Sequence, residues 1–200
     1  MHFRNMRSHL LIVLTISVGL VMSCNNDIEV EPTVDTDAQW LEDIQIIEDY
    51  ITANGYSYDT TTNGVRYTIL DSGSGNSVNP NDIVGFHYIG RLTTDTLFRT
   101  SVDTVLFNNG AGDSSRSYPP IHYTYSTSGW NIPSIYSSYY DFETGYREGV
   151  SKVIGLMKEG GHAKLMIPSG LAYQQFDPTT FGIIPPYSVL VFDIFFVSTE

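Results

Sequence analysis

The chain has 200 residues, enough for one modest domain with accessory segments, and 42% of them are apolar, which argues against a wholly disordered protein. Its formal net charge of −12 excludes the cationic footprint of a nucleic-acid binder, so no nucleic-acid partner is expected. The single cysteine excludes an internal disulfide, and the five histidines show no zinc-binding spacing, so we expect no metal and no cofactor.

Residues 1–23 have the pattern of a secretory signal peptide. Arg4 and Arg7 form a positively charged region, and an apolar run follows from Leu10 to Met22. The run is too short to span a bilayer comfortably, because spanning takes about 20 apolar residues. We therefore expect residues 1–23 to be removed on export.

The signal pattern ends in Val21-Met22-Ser23-Cys24, which resembles a lipobox, where a cysteine becomes lipidated and N-terminal. The alternative is an ordinary signal peptide with a chance cysteine. Residues 24–36 are polar and acidic and are typical of a tether. We expect a lipoprotein of the cell envelope, anchored to a periplasmic or outer-membrane surface through Cys24.

Residues 37–55 are predicted to form an N-terminal helix. Apolar side chains recur there at helical intervals, at Trp40, Ile44, Ile47 and Ile51, with acidic residues such as Asp43 between them. Gly55 is a natural stop for a helix over Asp37–Asn54. The pattern favours packing on the domain over a dimer interface.

Residues 56–200 have the character of a β-rich domain. Four segments alternate or are β-branched: Val65–Leu70, Ile83–Leu92, Ala163–Ile167 and Val189–Val197. A short helical stretch ends at Met157–Gly160. Strand alternation places Val84, Phe86 and Tyr88 on one face of the second strand and His87 on the other. Together these predict an α+β fold with an antiparallel sheet.

Three blocks in this region, in order, resemble the FKBP-type peptidyl-prolyl isomerase family. They are Gly73-Ser74-Gly75 with Val84–Leu92, then Met157–Pro168 with Leu171-Ala172-Tyr173, then Gly182–Pro186 with Leu190–Ile194. The resemblance implies a curved antiparallel sheet wrapped around one short helix, with an insertion at about 108–145. It also implies isomerase activity on proline-containing polypeptides and, with the signal peptide, a role in folding exported proteins.

Rotation about an X-Pro bond breaks no bond, so its catalyst needs a dry, apolar pocket rather than an acid or base. The family's pocket is lined by aromatic and apolar residues. Carried over to this sequence, the resemblance assigns catalytic roles to Tyr88, Phe98, Tyr173, Ile184 and Phe192. It assigns substrate binding to Arg99, Phe107, Tyr146, Val150 and Ile183. Because the matched residues begin near Gly64, we expect the N-terminal helix to be dispensable for catalysis.

The sequence departs from the family at several of these positions. Arg99 stands where an aspartate is usual, which replaces an acceptor with donors only. The usual floor tryptophan is missing. An ungapped alignment, which the sequence favours, places Val150 there, whereas a shifted one places Tyr146 and lengthens the helix by about one turn. Gln174 replaces a usual glycine. We expect reduced activity.

The Tyr- and Ser-rich insertion allows a second hypothesis, a non-catalytic peptide-binding or chaperone module. Its aromatic residues include Tyr118, Tyr123, Tyr125, Trp130, Tyr136, Tyr139 and Tyr140. Such a surface suits adaptable binding, and a partly ordered loop at the pocket edge is an equal alternative. His122 and His162 are expected to face solvent without partners.

Overall fold

The computed structural model describes residues 36–110, 115, 117–126, 144–174 and 183–200. The elements within these ranges are, in order, α1 (Thr36–Asn54), β1 (Asp59–Thr60), β2 (Arg66–Asp71), β3 (Ile83–Leu92), β4 (Leu97–Thr100), α2 (Asp103–Asn108), β5 (Ile121–Thr124), α3 (Thr144–Leu156), β6 (His162–Ile167), a 3₁₀ turn (Ser169–Leu171) and β7 (Leu190–Thr199). The predicted signal peptide, Cys24, nearly all of the tether and most of the predicted insertion lie outside the described residues.

The strands form one curved, antiparallel sheet of seven strands, which confirms the predicted α+β fold. The order is β1-β2-β6-β7-β3-β4, and β5 pairs with β3 as well. β3 spans the predicted residues and alternates as expected. Val84, Phe86 and Tyr88 are buried in the main core, while His87 lies on the other face and its ring is 3.1 Å from the Ser101 hydroxyl.

α3 packs against one face of the sheet and forms the main core with it. The helix buries apolar side chains three, four or seven residues apart: Tyr146, Val150, Val153 and Ile154. They meet alternate residues of β6 and β7, including Ala163, Leu165, Ile167, Phe192 and Ile194. This is the short helix around which the sheet curves, and it ends at Leu156, next to the Met157–Gly160 stretch where the sequence predicted its end.

α1 covers the opposite face of the same strands, so the predicted packing on the domain is confirmed. Ile47 and Ile51 are buried against Met166, Val189 and Val191. The helix ends in a Schellman motif: the Tyr56 N–H donates to the Ile51 carbonyl at 3.1 Å, and Gly55 has φ +68°. No helix of the described ranges combines the length and the apolar character that crossing a membrane requires.

The structure corrects three expectations from the sequence. Part of the predicted insertion is sheet rather than loop, because β5 pairs with β3 and buries Tyr123 in the main core, where Tyr125 is buried too. Those two tyrosines are therefore not available as a binding surface. His162 is not without partners: it donates to Asp193 at 2.9 Å and stacks on Phe195. Asp43, expected between the apolar positions of α1, is fully buried.

Candidate active site

Four rings from four different elements meet at one end of the main core and are called here the aromatic cluster: Tyr88 of β3, Phe98 of β4, Tyr146 of α3 and Phe192 of β7. The ring centroids of Tyr146 and Phe192 are 4.6 Å apart, and those of Phe98 and Phe192 are 5.5 Å apart. Tyr88 lies 6.1 Å from Tyr146 and 6.2 Å from Phe192. The tilted and edge-on arrangements are those that aromatic pairs prefer.

Phe192 is the centre of the cluster, since it contacts each of the other three rings. Strand alternation on β7 points it toward α3, and its partner across the ladder is Gly90 of β3. A Cβ at Gly90 would lie 2.8 Å from both the Phe98 and the Phe192 rings. Gly90 therefore makes room for the pair. The sequence contained Gly90 within a matched motif but gave no sign of this role, which depends on a cross-strand neighbour.

Tyr146, rather than Val150, brings an aromatic ring to the cluster. Both residues are buried on α3, one turn apart, and both belong to the main core. Burial raises the pKa of the Tyr146 phenol well above its ordinary value, Tyr88 and Tyr173 raise it further, and the Arg99 charge lowers it. The phenol is therefore protonated at neutral pH and can donate a hydrogen bond.

Tyr173 and Ile184 join the same core from the loops between β6 and β7. Tyr173 follows the 3₁₀ turn and is 8% exposed, and Ile184 is 3% exposed. Phe98 and Ile183 are half-buried and lie toward solvent. All five residues assigned as catalytic thus belong to, or pack against, the main core.

Arg99 reaches the site because β4 carries an irregularity opposite β3. Gly90 pairs with Arg99 and Arg91 pairs with Leu97, so Phe98 is an extra residue in the ladder. Such bulges re-aim side chains, which explains how neighbours in one strand, Phe98 and Arg99, both act on the aromatic cluster. In the part of the chain that the structure describes, Arg99 forms no ion pair.

Phe107 lies apart from the residues that the structure brings together. It sits on α2, is 39% exposed, and its ring is edge-on to Tyr118 at 6.4 Å. Among the described residues it makes no ring contact with the aromatic cluster. A substrate contact by Phe107 stays a prediction from the sequence.

The arrangement is suited to binding and desolvation rather than to proton transfer. It is built of aromatic rings with Ile184 in the same core, and the Arg99 charge acts on the Tyr146 phenol. Within the described ranges, no three His, Cys, Asp or Glu side chains come together in a way that could hold a metal ion.

Comparison with known proteins identifies one family. The model of the family described as "FKBP-type peptidyl-prolyl cis-trans isomerase" matches residues 75–197. The FKBP-type peptidyl-prolyl cis-trans isomerase FkpA of Aeromonas hydrophila is 31% identical over 158 residues, which cover 76% of this chain and 45% of the relative. The probable FkpA of Neisseria meningitidis serogroup B is 33% identical over 135 residues, covering 68% and 38%. The chain therefore spans less than half the length of these relatives.

Solved structures resemble the chain at the level of the fold. The crystal structure of a peptidyl-prolyl cis-trans isomerase from Pseudomonas syringae pv. tomato aligns with a TM-score of 0.51 and 19% identity, covering 85% of this chain and 99% of that one. At that identity the likeness concerns architecture alone.

Proposed function

Since the chain belongs to the FKBP-type peptidyl-prolyl cis-trans isomerase family, we propose that it catalyses rotation about X-Pro bonds in polypeptides. The observation that carries the proposal is the convergence of Tyr88, Phe98 and Tyr146 on Phe192, with Tyr173 and Ile184 in the same core. These side chains come from separate parts of the sequence and pack together in one core.

The proposed mechanism uses the aromatic cluster as a dry surface for the proline ring. The barrier to rotation is about 18–20 kcal/mol because the planar amide is stabilised by resonance. The twisted amide is less polar than the planar one, so an apolar site favours it relative to water. The Tyr173 hydroxyl is proposed to donate a hydrogen bond to a substrate carbonyl and fix the peptide's orientation. No group has to gain or lose a proton.

Two features support activity below that usual for the family. Arg99 offers donors where the family's aspartate offers acceptors, and Tyr146 has a smaller ring than the missing tryptophan. Arg99 also bears on which peptides are preferred. A guanidinium with no ion pair among the described residues attracts carboxylates, so peptides with an acidic residue beside proline are the proposed better substrates.

The proposed setting is the cell envelope. The first 24 residues carry the signal pattern and the lipobox-like Cys24. We propose lipidation there, a tether that holds the domain off the membrane, and action on exported proteins as they fold.

The test is an isomerisation assay on proline tetrapeptides with the purified chain. The expected result is a catalysed rate above the spontaneous one, with little change between pH 6 and 8, since no proton transfer is proposed. A folded protein that accelerates no X-Pro peptide would refute the enzyme. If that inactive protein still bound proline peptides, the hypothesis of a non-catalytic binding module would replace the enzyme. Arg99 and the missing tryptophan already favour that hypothesis.

A further inference from the structure

A buried acid connects the N-terminal helix to the loop that carries Tyr173. Asp43 lies on α1 and is 0% exposed. One of its carboxylate oxygens accepts two hydrogen bonds of 2.7 Å, from the Ser169 N–H and the Ser169 hydroxyl. The other accepts from the Gln39 amide at 3.0 Å. Burying a carboxyl group is costly unless donors satisfy it, and here three donors do so.

Ser169 passes this restraint on to both neighbours of Tyr173. It is the first residue of the 3₁₀ turn and is also 0% exposed. Its carbonyl accepts from the Ala172 N–H at 3.0 Å and from the Gln174 N–H at 3.2 Å. The backbone on either side of Tyr173 is therefore bonded to the residue that Asp43 holds.

The loop requires such a restraint because one of its residues is strained. Gln174 has φ +53°, in the left-handed region that residues with side chains seldom occupy. A strained conformation of this kind persists only where surrounding contacts fix it. The family resemblance would place a glycine there, which adopts this conformation without strain.

We propose that Asp43 is a positioning residue for Tyr173, and that α1 is therefore a working part of the isomerase site. This reverses the expectation that the helix is dispensable for catalysis. Asp43 does not touch substrate; it holds Ser169, and Ser169 holds the segment that aims the Tyr173 hydroxyl. The catalytic consequence rests on the proposed isomerase function, whereas the effect on the loop does not.

The experiment compares Asp43→Asn with Asp49→Asn in the full chain. Both acids accept a hydrogen bond from a glutamine four residues earlier on α1, but Asp49 is exposed and does not reach the 3₁₀ turn. We expect kcat/KM to fall about tenfold in Asp43→Asn, mainly through kcat, because a charge-assisted hydrogen bond is weakened. Asp49→Asn should stay within about twofold of the wild type.

Amide hydrogen exchange separates the two proposals. In Asp43→Asn, exchange should accelerate selectively at Ala172 and Gln174 while the strands of the sheet stay protected. A wild-type protein without activity would refute the proposed isomerase function. The exchange rates at Ala172 and Gln174 would still show whether Asp43 holds the loop that carries Tyr173. Wild-type kcat/KM with unchanged exchange at these amides would overturn it, as would a uniform loss of protection, which marks general destabilisation. If Asp43→Asn does not fold, Ser169→Ala, which removes one of the two bonds, is expected to lower kcat/KM about threefold under the same criteria.

Discussion

At the scale of single residues, Phe192 has the largest expected effect, because it serves the site and the core together. Phe192→Ala should lower stability by about 3–5 kcal/mol through lost packing and should lower kcat/KM more than tenfold. Tyr173→Phe removes one neutral hydrogen bond, worth about 0.5–1.5 kcal/mol, so kcat/KM should fall between about twofold and twelvefold. Steady-state kinetics on folded protein, with stability measured by urea unfolding, test whether Phe192→Ala loses more activity than Tyr173→Phe. A larger loss of kcat/KM in Tyr173→Phe would contradict the prediction.

Gly90 gives a test of the geometry of the aromatic cluster that adds only one methyl group. In Gly90→Ala, the new Cβ would lie 2.8 Å from Phe98 and Phe192, so one ring must move. We expect at least about a tenfold loss of kcat/KM with retained fold. The reference is the wild-type chain measured under the same conditions. Wild-type activity in Gly90→Ala would show that the ring positions do not matter.

Arg99 is expected to set peptide preference. Arg99→Asp should raise kcat/KM on peptides with a neutral residue before proline, if the family's acid aids catalysis. The same change should lower the ratio of rates on Glu-Pro to Leu-Pro peptides, because a carboxylate replaces the guanidinium. Rates on both peptides at low and moderate salt check this, since screening weakens a charge contact at a partly exposed site. An unchanged ratio would separate Arg99 from substrate recognition.

The sequence named the four residues whose rings form the aromatic cluster, but not the residues that support them. The matched motifs contained Tyr88 and Phe192, and the family resemblance assigned Phe98 on the strand that follows the first hairpin. Spacing favoured Val150, because that alignment needs no gap, whereas the ring that meets Tyr88 and Phe192 is that of Tyr146, about one turn earlier on the same helix. The role of Asp43 could not be predicted from the sequence, because its partner Ser169 is 126 residues away. Helical periodicity also predicts that an acid between apolar positions faces solvent.

At the scale of elements, β6 and β7 carry a cluster of charged side chains around Asp193, on the sheet face that α1 partly covers. Asp193 accepts from His162 at 2.9 Å and from Lys164, and Arg91 lies 3.6 Å away. Burial alone would raise the pKa of Asp193, but the hydrogen bonds from His162 and Lys164 outweigh it and hold the pKa below the ordinary 3.8. The group therefore stabilises the folded state when it is ionised.

The sign of this pKa shift predicts a stability change in acid. A carboxyl group with a lowered folded pKa contributes its full stabilisation above the unfolded value of about 3.9, and the contribution is lost as pH falls through the folded pKa. Urea unfolding of the wild type should show a declining free energy below pH 4, and Asp193→Asn should flatten that part of the profile. Asp49→Asn is the control and should keep the wild-type slope.

Among the elements, strands with strong alternation were predictable and short ones were not. β3 and β7 contain long runs of β-branched and aromatic residues, so each can be recognised as a strand from the sequence alone. β4 and β5 have four residues each. β5 lies in a Tyr- and Ser-rich stretch, and its place in the sheet depends on pairing with β3 rather than on its own pattern.

At the scale of the whole molecule, the proposed lipid anchor is the main feature to test. Cys24→Ala should move the protein from the membrane fraction to the soluble fraction of cells, because the acyl chains that hold it would be absent. Isomerase activity per folded molecule should be unchanged. The comparison is a Ser23→Ala variant, which keeps the cysteine and a small residue before it and should remain with membranes. A Cys24→Ala protein that still fractionates with membranes would refute the anchor.

The strand order means that the sheet cannot be completed until its central strand, β7, has been synthesised. β7 lies between β6 and β3, so the middle of the sheet comes from residues 190–199, which are the last of the seven described strands in chain order. Until those residues emerge, β3 and β6 have no partner on their inner edges, and the main core lacks Phe192 and Ile194. Pairings between distant segments form slowly, so a chain that lacks these residues exposes open strand edges. A protein proposed to help others fold would therefore itself pass through an intermediate with unpaired strand edges, of the kind that folding helpers bind.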